Sequence, residues 1–168
     1  MRIRVSDIQE DGLMVDHVTA VGSFSDPAWR LDAVSLRVLR EHVDVLVSGE
    51  VLATVPQLCG RCLEPFPADV RAAVDVRLIP RPATADNVEL APDDLDVDFY
   101  QNDELDLGAL VEAETTLALP MKPLCRDDCR GLCPVCGGNR NVVACACSER
   151  APDPRLTVLK DLATRLSH

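Results

Sequence analysis

From Val70 to Leu78 the apolar side chains fall on alternate positions, Val70, Ala72, Val74, Val76 and Leu78, while Arg71, Asp75 and Arg77 lie between them. A period of two sends the first set to one face of an extended chain and the second to the other, which predicts a half-buried strand. The stretch from Ala33 to Val55 is rich in Val and Leu with polar interruptions. Within it "HVDVLVSGEVLATV" alternates on both sides of Ser48-Gly49-Glu50, a pattern that predicts two strand runs around a turn or bulge. "PQLCGRCLEPFP" joins the two regions and puts Cys59 and Cys62 at the tip of a hairpin. Upstream, "MRIRVSDI" and "HVTAVGSF" continue the strand-like reading, with His17 and His42 inside such runs, and Trp29 in "DPAWRLD" reads as an anchor for the N-terminal segment.

The period is lost in "RPATADNVELAPDD", which carries two prolines and reads as a loop or crossover. In "DDLDVDFY", Asp94, Asp96 and Asp98 alternate with Leu95, Val97 and Phe99. The spacing resembles the start of a calcium loop, but Phe99 stands where that loop needs Gly and Leu105 where it needs a bidentate Glu. An edge strand with water-facing aspartates fits the pattern, because charge on an edge discourages pairing between sheets. The period then becomes helical: Leu107, Leu110, Val111, Glu114, Leu117 and Ala118 share a face, Asp106 or Asp103 can cap, and Pro120 stops the helix. A last helix is expected near the C-terminus, capped by Asp153 with Pro154 in its first turn and a stripe of Leu156, Leu159, Leu162 or Ala163, and Leu166.

Composition adds a core and a charge asymmetry. The 168 residues are 47% apolar, enough for one core. The net charge is -11, and residues 86–114 alone carry 11 acidic side chains and no basic one. Residues 121–168 have 8 bases against 5 acids. Such a chain is poorly suited to gripping nucleic acid by many phosphate contacts, which need several Lys or Arg on one surface. A basic protein partner, or RNA touched only by the C-terminal segment, is compatible with it. "MRIRVSDIQEDG" has no basic patch followed by an apolar run, and no stretch approaches the roughly 18 apolar residues that span a bilayer. The expected location is therefore cytoplasmic, without membrane contact. Thiols stay reduced there, so clustered cysteines point to metal binding or catalysis before cross-links.

Eight cysteines fall into four short pairs: Cys59 and Cys62, Cys125 and Cys129, Cys133 and Cys136, Cys145 and Cys147. Zinc takes four thiolate or imidazole ligands in a tetrahedron, and short pairs joined by a loop are how a chain supplies them. "CPVCGG" has the form of a zinc knuckle, in which Gly137 and Gly138 permit close approach of backbone amides to sulfur. With "CACS" closing the loop, Cys133, Cys136, Cys145 and Cys147 make one site, which leaves Cys59, Cys62, Cys125 and Cys129 for a second. The spacing also allows Cys125, Cys129, Cys133 and Cys136 on one ion, with Cys59, Cys62, Cys145 and Cys147 on the other. Four thiolates saturate a tetrahedral ion, which points to structural zinc rather than a catalytic site with an open position.

A redox pair is the competing reading, since Arg61 lies inside the first Cys-x-x-Cys, but Glu64-Pro65-Phe66-Pro67 prevents the helix start that activates such thiols. An iron–sulfur cluster is a further way to satisfy the cysteines. Three scattered histidines, His17, His42 and His168, make no catalytic constellation, and no phosphate loop or nucleophile elbow occurs. Glu112 and Glu114 read as a solvated helix face, so a non-enzyme is expected. The whole predicts an α+β fold: an antiparallel β-rich N-terminal and central part with a helix and an acidic crossover over residues 1–120, then a cysteine-rich zinc-knuckle segment with a terminal helix packed on it over 121–168.

"CGRCLEPF", the acidic run into "DFYQNDELDLGALVEAETTLALPMKPLC", then "CRGLCPVCGGNRN" and the terminal "DPRLTVLKDL" follow one another in an order that resembles the YceD family of bacteria. The resemblance covers about the last two thirds of the chain and takes in Cys59, Arg61, Cys62, the helix at 106–119 and the C-terminal cysteines. Arg140 departs from it, since the family more often has Leu there. What the resemblance implies is a role in accumulation of large-subunit (23S) ribosomal RNA, and hence in ribosome biogenesis, without an established catalytic activity. Charge adds to this a zinc-binding factor whose acidic body binds a ribosomal protein or a large-subunit precursor and whose C-terminal segment offers Arg126, Arg130 and Arg140 to RNA, with Arg61 as a further candidate partner contact; two four-thiolate zinc centres would blunt that positive segment, so any RNA contact is expected to be weak or indirect. The alternative is a thiol-based redox sensor or chaperone with zinc held by its Cys-x-x-Cys pairs.

Overall fold

The computed structural model describes residues 1–81 and 97–147. Strands β1 (Arg2–Arg4), β2 (Leu13–Val15), β3 (Arg30–Glu41), β4 (Asp44–Leu58), β5 (Pro65–Pro80), β6 (Val97–Tyr100) and β7 (Glu104–Asp106) are accompanied by helices α1 (Val18–Val21) and α2 (Leu107–Leu117). One sheet has the order β2-β3-β4-β5-β6, and β1 and β7 form a second, antiparallel pair. This is an α+β fold with a mixed sheet. Its neighbours run antiparallel except β5 and β6, which are parallel with Arg77 opposite Val97. The antiparallel-rich expectation holds for β2 to β5, and the one parallel pair was not legible because alternation within a run carries no direction.

The period-two pattern of β5 has its predicted outcome, with Val70, Ala72, Val74 and Leu78 buried and Arg71, Asp75 and Arg77 exposed. The expectation at Gly49 fails. β4 runs through it without turn or bulge, placing Gly49 opposite Leu36 of β3 and Val74 of β5 in unbroken register. A Cβ at Gly49 would overlap the Ser35 carbonyl oxygen, so the glycine serves close strand approach rather than chain reversal. The reversal occurs instead at His42-Val43, where Glu41 pairs with Asp44 and His42 takes φ 60°, the positive first position of a tight hairpin. His42 is thus a turn residue. His17 also leaves the strand-like reading: it precedes α1 as its extended N-cap.

Asp106 caps α2 by accepting from the N–H groups of Gly108 and Ala109 at 3.1 and 3.2 Å. Asp103, the other candidate, accepts instead from the backbone N–H and hydroxyl of Ser6. The buried face of α2 is Leu107, Leu110, Val111 and Thr115, whereas Leu117 is 78% exposed. The predicted stripe is therefore rotated by one position at its end, since Thr115 donates its hydroxyl to the Val111 carbonyl at 2.7 Å and so buries without an orphan polar group. The main core joins this face to the inner side of β3–β5 and to Val5, Ile8, Val15, Val21 and Phe24. Trp29 meets Phe24 edge-on at 5.5 Å and packs against that core, the anchoring role read from its sequence context. β6 is the edge strand, with Asp98 exposed. Asp94, Asp96 and the terminal helix expected from Asp153 lie outside the described residues. Among the described residues no helix is long and apolar enough to cross a membrane.

Candidate metal centres

The hairpin between β4 and β5 ends in a knuckle. Cys59 N–H donates to the Glu64 carbonyl at 3.0 Å and Leu63 N–H to the Cys59 carbonyl at 2.9 Å. The later Cys-x-x-Cys repeats this arrangement: Cys133 N–H donates to the Gly138 carbonyl at 2.8 Å and Gly137 N–H to the Cys133 carbonyl at 2.9 Å. In both, the residue after the second cysteine has positive φ, 61° at Leu63 and 71° at Gly137. "CGRCLE" and "CPVCGG" are the same local structure.

Each knuckle meets a second cysteine pair. The sulfurs of Cys59, Cys62, Cys125 and Cys129 converge, and so do those of Cys133, Cys136, Cys145 and Cys147, with the sulfurs of each set within 4.8 Å of one another. The crossed grouping that the spacing also allowed is not formed. Sγ separations are 3.8 Å for Cys59–Cys129 and 3.7 Å for Cys62–Cys125. A tetrahedron with metal–sulfur bonds of about 2.3 Å has edges of about 3.8 Å, so the first set fits a single tetrahedral ion. Soft thiolates suit zinc or iron. Four of them fill the shell and would leave an ion no free position.

The two sets differ in exposure. Cys59, Cys62 and Cys129 are buried and Cys125 half-buried, packed against Phe66 and Leu124 as a small core separate from the main one. In the second set only Cys133 is buried, and Cys136 and Cys147 are exposed. Without a cation neither set can hold four thiolates. The backbone N–H groups of Cys125, Cys62 and Arg61 lower the Cys59 thiol to about 6, whereas burial and the adjoining thiols push Cys125 up to about 12. N–H groups of Cys136 and Val135 likewise lower Cys133 to about 6, and the Cys136 thiol, then burial, raise Cys147 to about 12. A divalent ion removes this opposition by neutralising half of the charge of four thiolates.

The four arginines divide. Arg61 donates to the carbonyls of Asp127 and Cys129 at 3.1 and 3.0 Å, and with Gly60 N–H on the Pro123 carbonyl at 2.8 Å it braces the hairpin tip against the following segment. Arg126 pairs with Asp128 at 3.3 Å and donates to Asn141 Oδ1 at 2.9 Å. Arg130 and Arg140 are exposed. Glu112 accepts from Ser25 N–H and hydroxyl at 3.1 and 2.9 Å, a tie between α2 and the loop that joins α1 to β3. Asn139 and Asn141 escaped the sequence reading, although Asn141 donates to Cys129 Sγ at 3.3 Å. Their signal was the repeat of Asn at i and i+2 between the cysteine pairs in "GGNRN".

Residues 47–163 match the family described as "Large ribosomal RNA subunit accumulation protein YceD". Uncharacterized proteins of Mycobacterium bovis and Mycobacterium tuberculosis are each 35% identical to the chain over 105 residues, 62% of this chain and 49% of theirs. A Zea mays protein named "Large ribosomal RNA subunit accumulation protein YCED homolog 1, chloroplastic" is 26% identical over 147 residues, 70% of this chain and 48% of its own. The chain spans about half the length of the curated relatives it matches. No solved structure matches it. Matched from within β4 through both cysteine sets, the chain belongs to the YceD family.

Proposed function

We propose that the protein is a non-enzymatic, cytoplasmic zinc-binding factor that supports accumulation of large-subunit (23S) ribosomal RNA, and so ribosome biogenesis, by binding a ribosomal protein or a large-subunit precursor. The observation that carries this reading is the pair of closed four-cysteine sets in a YceD-family chain. The sulfurs of the first set hold the hairpin tip to the segment after α2 and those of the second close a loop within that segment, and a filled shell has no position for a substrate. Zinc would supply that cross-link and a fixed charge. Cys59, Cys62, Cys125 and Cys129 would hold one ion and Cys133, Cys136, Cys145 and Cys147 the other.

Charge favours a protein partner. The acidic run over 86–114 suits a basic ribosomal protein. Each filled four-thiolate centre carries a formal charge of about -2, which blunts the positive segment around Arg126, Arg130 and Arg140 and disfavours a direct grip on RNA. Burial of Cys59 and Cys62 speaks against the thiol-redox alternative at that pair.

The test is made in a strain lacking the gene and with the purified chain. Zinc at two ions per chain, a fall in 23S relative to 16S RNA in the deletion strain, and co-sedimentation with large-subunit precursors are the expected results. Unchanged 23S levels together with no association would overturn the proposal. Native Cys59 and Cys62 that label with a thiol probe at neutral pH would put the redox reading in its place.

A further inference from the structure

We infer that Asn141 is a positioning residue through which the second cysteine set governs metal affinity at the first. This rests on reading both sets as metal centres. Asn141 belongs to the connection between Cys136 and Cys145, two ligands of the second set, yet its amide points at the first. Its Oδ1 accepts from Arg130 N–H at 2.8 Å and from Arg126 Nη2 at 2.9 Å. Both partners are pure donors, so the amide cannot be turned round and its NH2 faces Cys129 Sγ at 3.3 Å and Asn139 Oδ1 at 2.9 Å.

The backbone holds the same stretch against the first knuckle. Arg140 N–H donates to the Gly131 carbonyl at 2.9 Å, Leu132 N–H to the Arg61 carbonyl at 3.0 Å, and Asn139 Nδ2 to Glu64 Oε1 at 3.4 Å. A filled second centre ties both ends of the connection and delivers Asn141 preorganised. Emptying it frees the Cys145 end, and the amide must then be ordered at the cost of chain entropy. An N–H donated to a metal-bound thiolate takes up part of its charge and stabilises the four-thiolate complex, and loss of such outer partners weakens metal binding by about 10–100-fold. Coupling between two binding sites is reciprocal, so filling the first centre strengthens the second by the same factor.

The experiment titrates Zn2+-loaded full-length chain with a chromophoric chelator and compares Asn141→Asp, Asn141→Ala and the double variant Cys145→Ser/Cys147→Ser. Asn141→Ala removes the donor without adding charge, and Asn141→Asp keeps the oxygen that Arg130 and Arg126 need but sets a carboxylate in place of the donor beside Cys129. In both variants, one of the two ions should pass to the chelator with about 10–100-fold weaker binding than in wild type, and the other should lose by the same factor the strengthening it drew from the filled first centre. With Co2+ in place of zinc, the thiolate-to-metal band should move to longer wavelength, because a sulfur relieved of a hydrogen bond gives up electron density more easily; a loosened fold alone would not move it. The double variant should hold its one ion more weakly than the fully loaded wild type holds the ion of that same centre. Unchanged affinities and an unmoved band in Asn141→Asp overturn the role of Asn141, and wild-type affinity of the remaining ion in the double variant overturns the coupling. A wild-type chain that binds no zinc overturns the metal reading itself, and this inference with it.

Discussion

Leu63 holds a position that the second knuckle gives to glycine. Both residues close the same pair of hydrogen bonds at positive φ, 61° for Leu63 and 71° for Gly137. A side chain there costs about 1–2 kcal/mol, and Leu63, 61% exposed, recovers little of it by burial. Leu63→Gly removes the strain but loosens the unfolded chain, which takes back about 0.4–1 kcal/mol, so a net stabilisation of up to about 1 kcal/mol is expected. By the same balance Gly137→Ala should destabilise by up to about 1 kcal/mol. Denaturant midpoints of the metal-loaded protein check the opposite signs; two shifts in the same direction refute the equivalence of the knuckles. At this scale the sequence was legible where residue type is tied to chemistry, as for the cysteines. It was silent on Leu63, which has no preference for that backbone region, and on the internal brace made by Arg61, whose acceptors are main-chain carbonyls of Asp127 and Cys129 far along the chain.

Among the elements, α2 is the one whose start is set by a titrating group. The Asp106 carboxylate accepts from Gly108 and Ala109 N–H, pairs with Arg2 at 3.2 Å and lies 3.9 Å from the N-terminal ammonium. The Ala109 N–H foremost, with Arg2 and the ammonium, holds its pKa below the ordinary carboxylate value. The stabilisation is therefore complete above the unfolded value near 4 and is lost as pH falls through the lower folded value. Asp106→Ala should cost about 1 kcal/mol at pH 7, and the gap to wild type should close in acid; paired denaturation curves at pH 7 and pH 3 read it out. A gap that stays constant with pH would mean that the charge contributes nothing. The cap, the β5 alternation and the hairpin tip were all visible in sequence because each depends on neighbours a few residues apart. Gly49 was misread for the complementary reason: glycine in a Val-rich run marks either a turn or a close approach, and only the position of Ser35 on the adjacent strand decides between them.

At the scale of the molecule the described residues form two cores with different sources of cohesion. The larger is aliphatic and joins the sheet to α2, whereas the smaller consists of Cys59, Cys62 and Cys129 with Phe66, Leu124 and Cys125 around them. The sequence favoured the grouping that forms but also allowed a crossed one, because in the first set the pairs that meet are 63 to 70 residues apart and spacing says little over that distance. The structure joins them by the fold of the long hairpin, which carries Cys59 and Cys62 out to where the segment after α2 returns. Among the described residues almost no regular structure supports residues 121–147, whose only strand-like pairing there is the single bridge of Leu132 with Asn139. Removal of metal should therefore act locally. A strong chelator under reducing conditions leaves thiols that cannot all ionise together, so the link between hairpin tip and segment opens while the aliphatic core keeps its buried faces. Amide exchange should become fast over 121–147 and the tip at 59–64, and stay slow in β3, the inner part of β4 and β5, and α2. Far-ultraviolet circular dichroism should change little, and re-addition of zinc should restore protection at the tip and in the segment together. Protection lost across β3 and α2 at the same metal concentration would show that the two cores fold as one unit, with the ions holding the sheet as well as the knuckles.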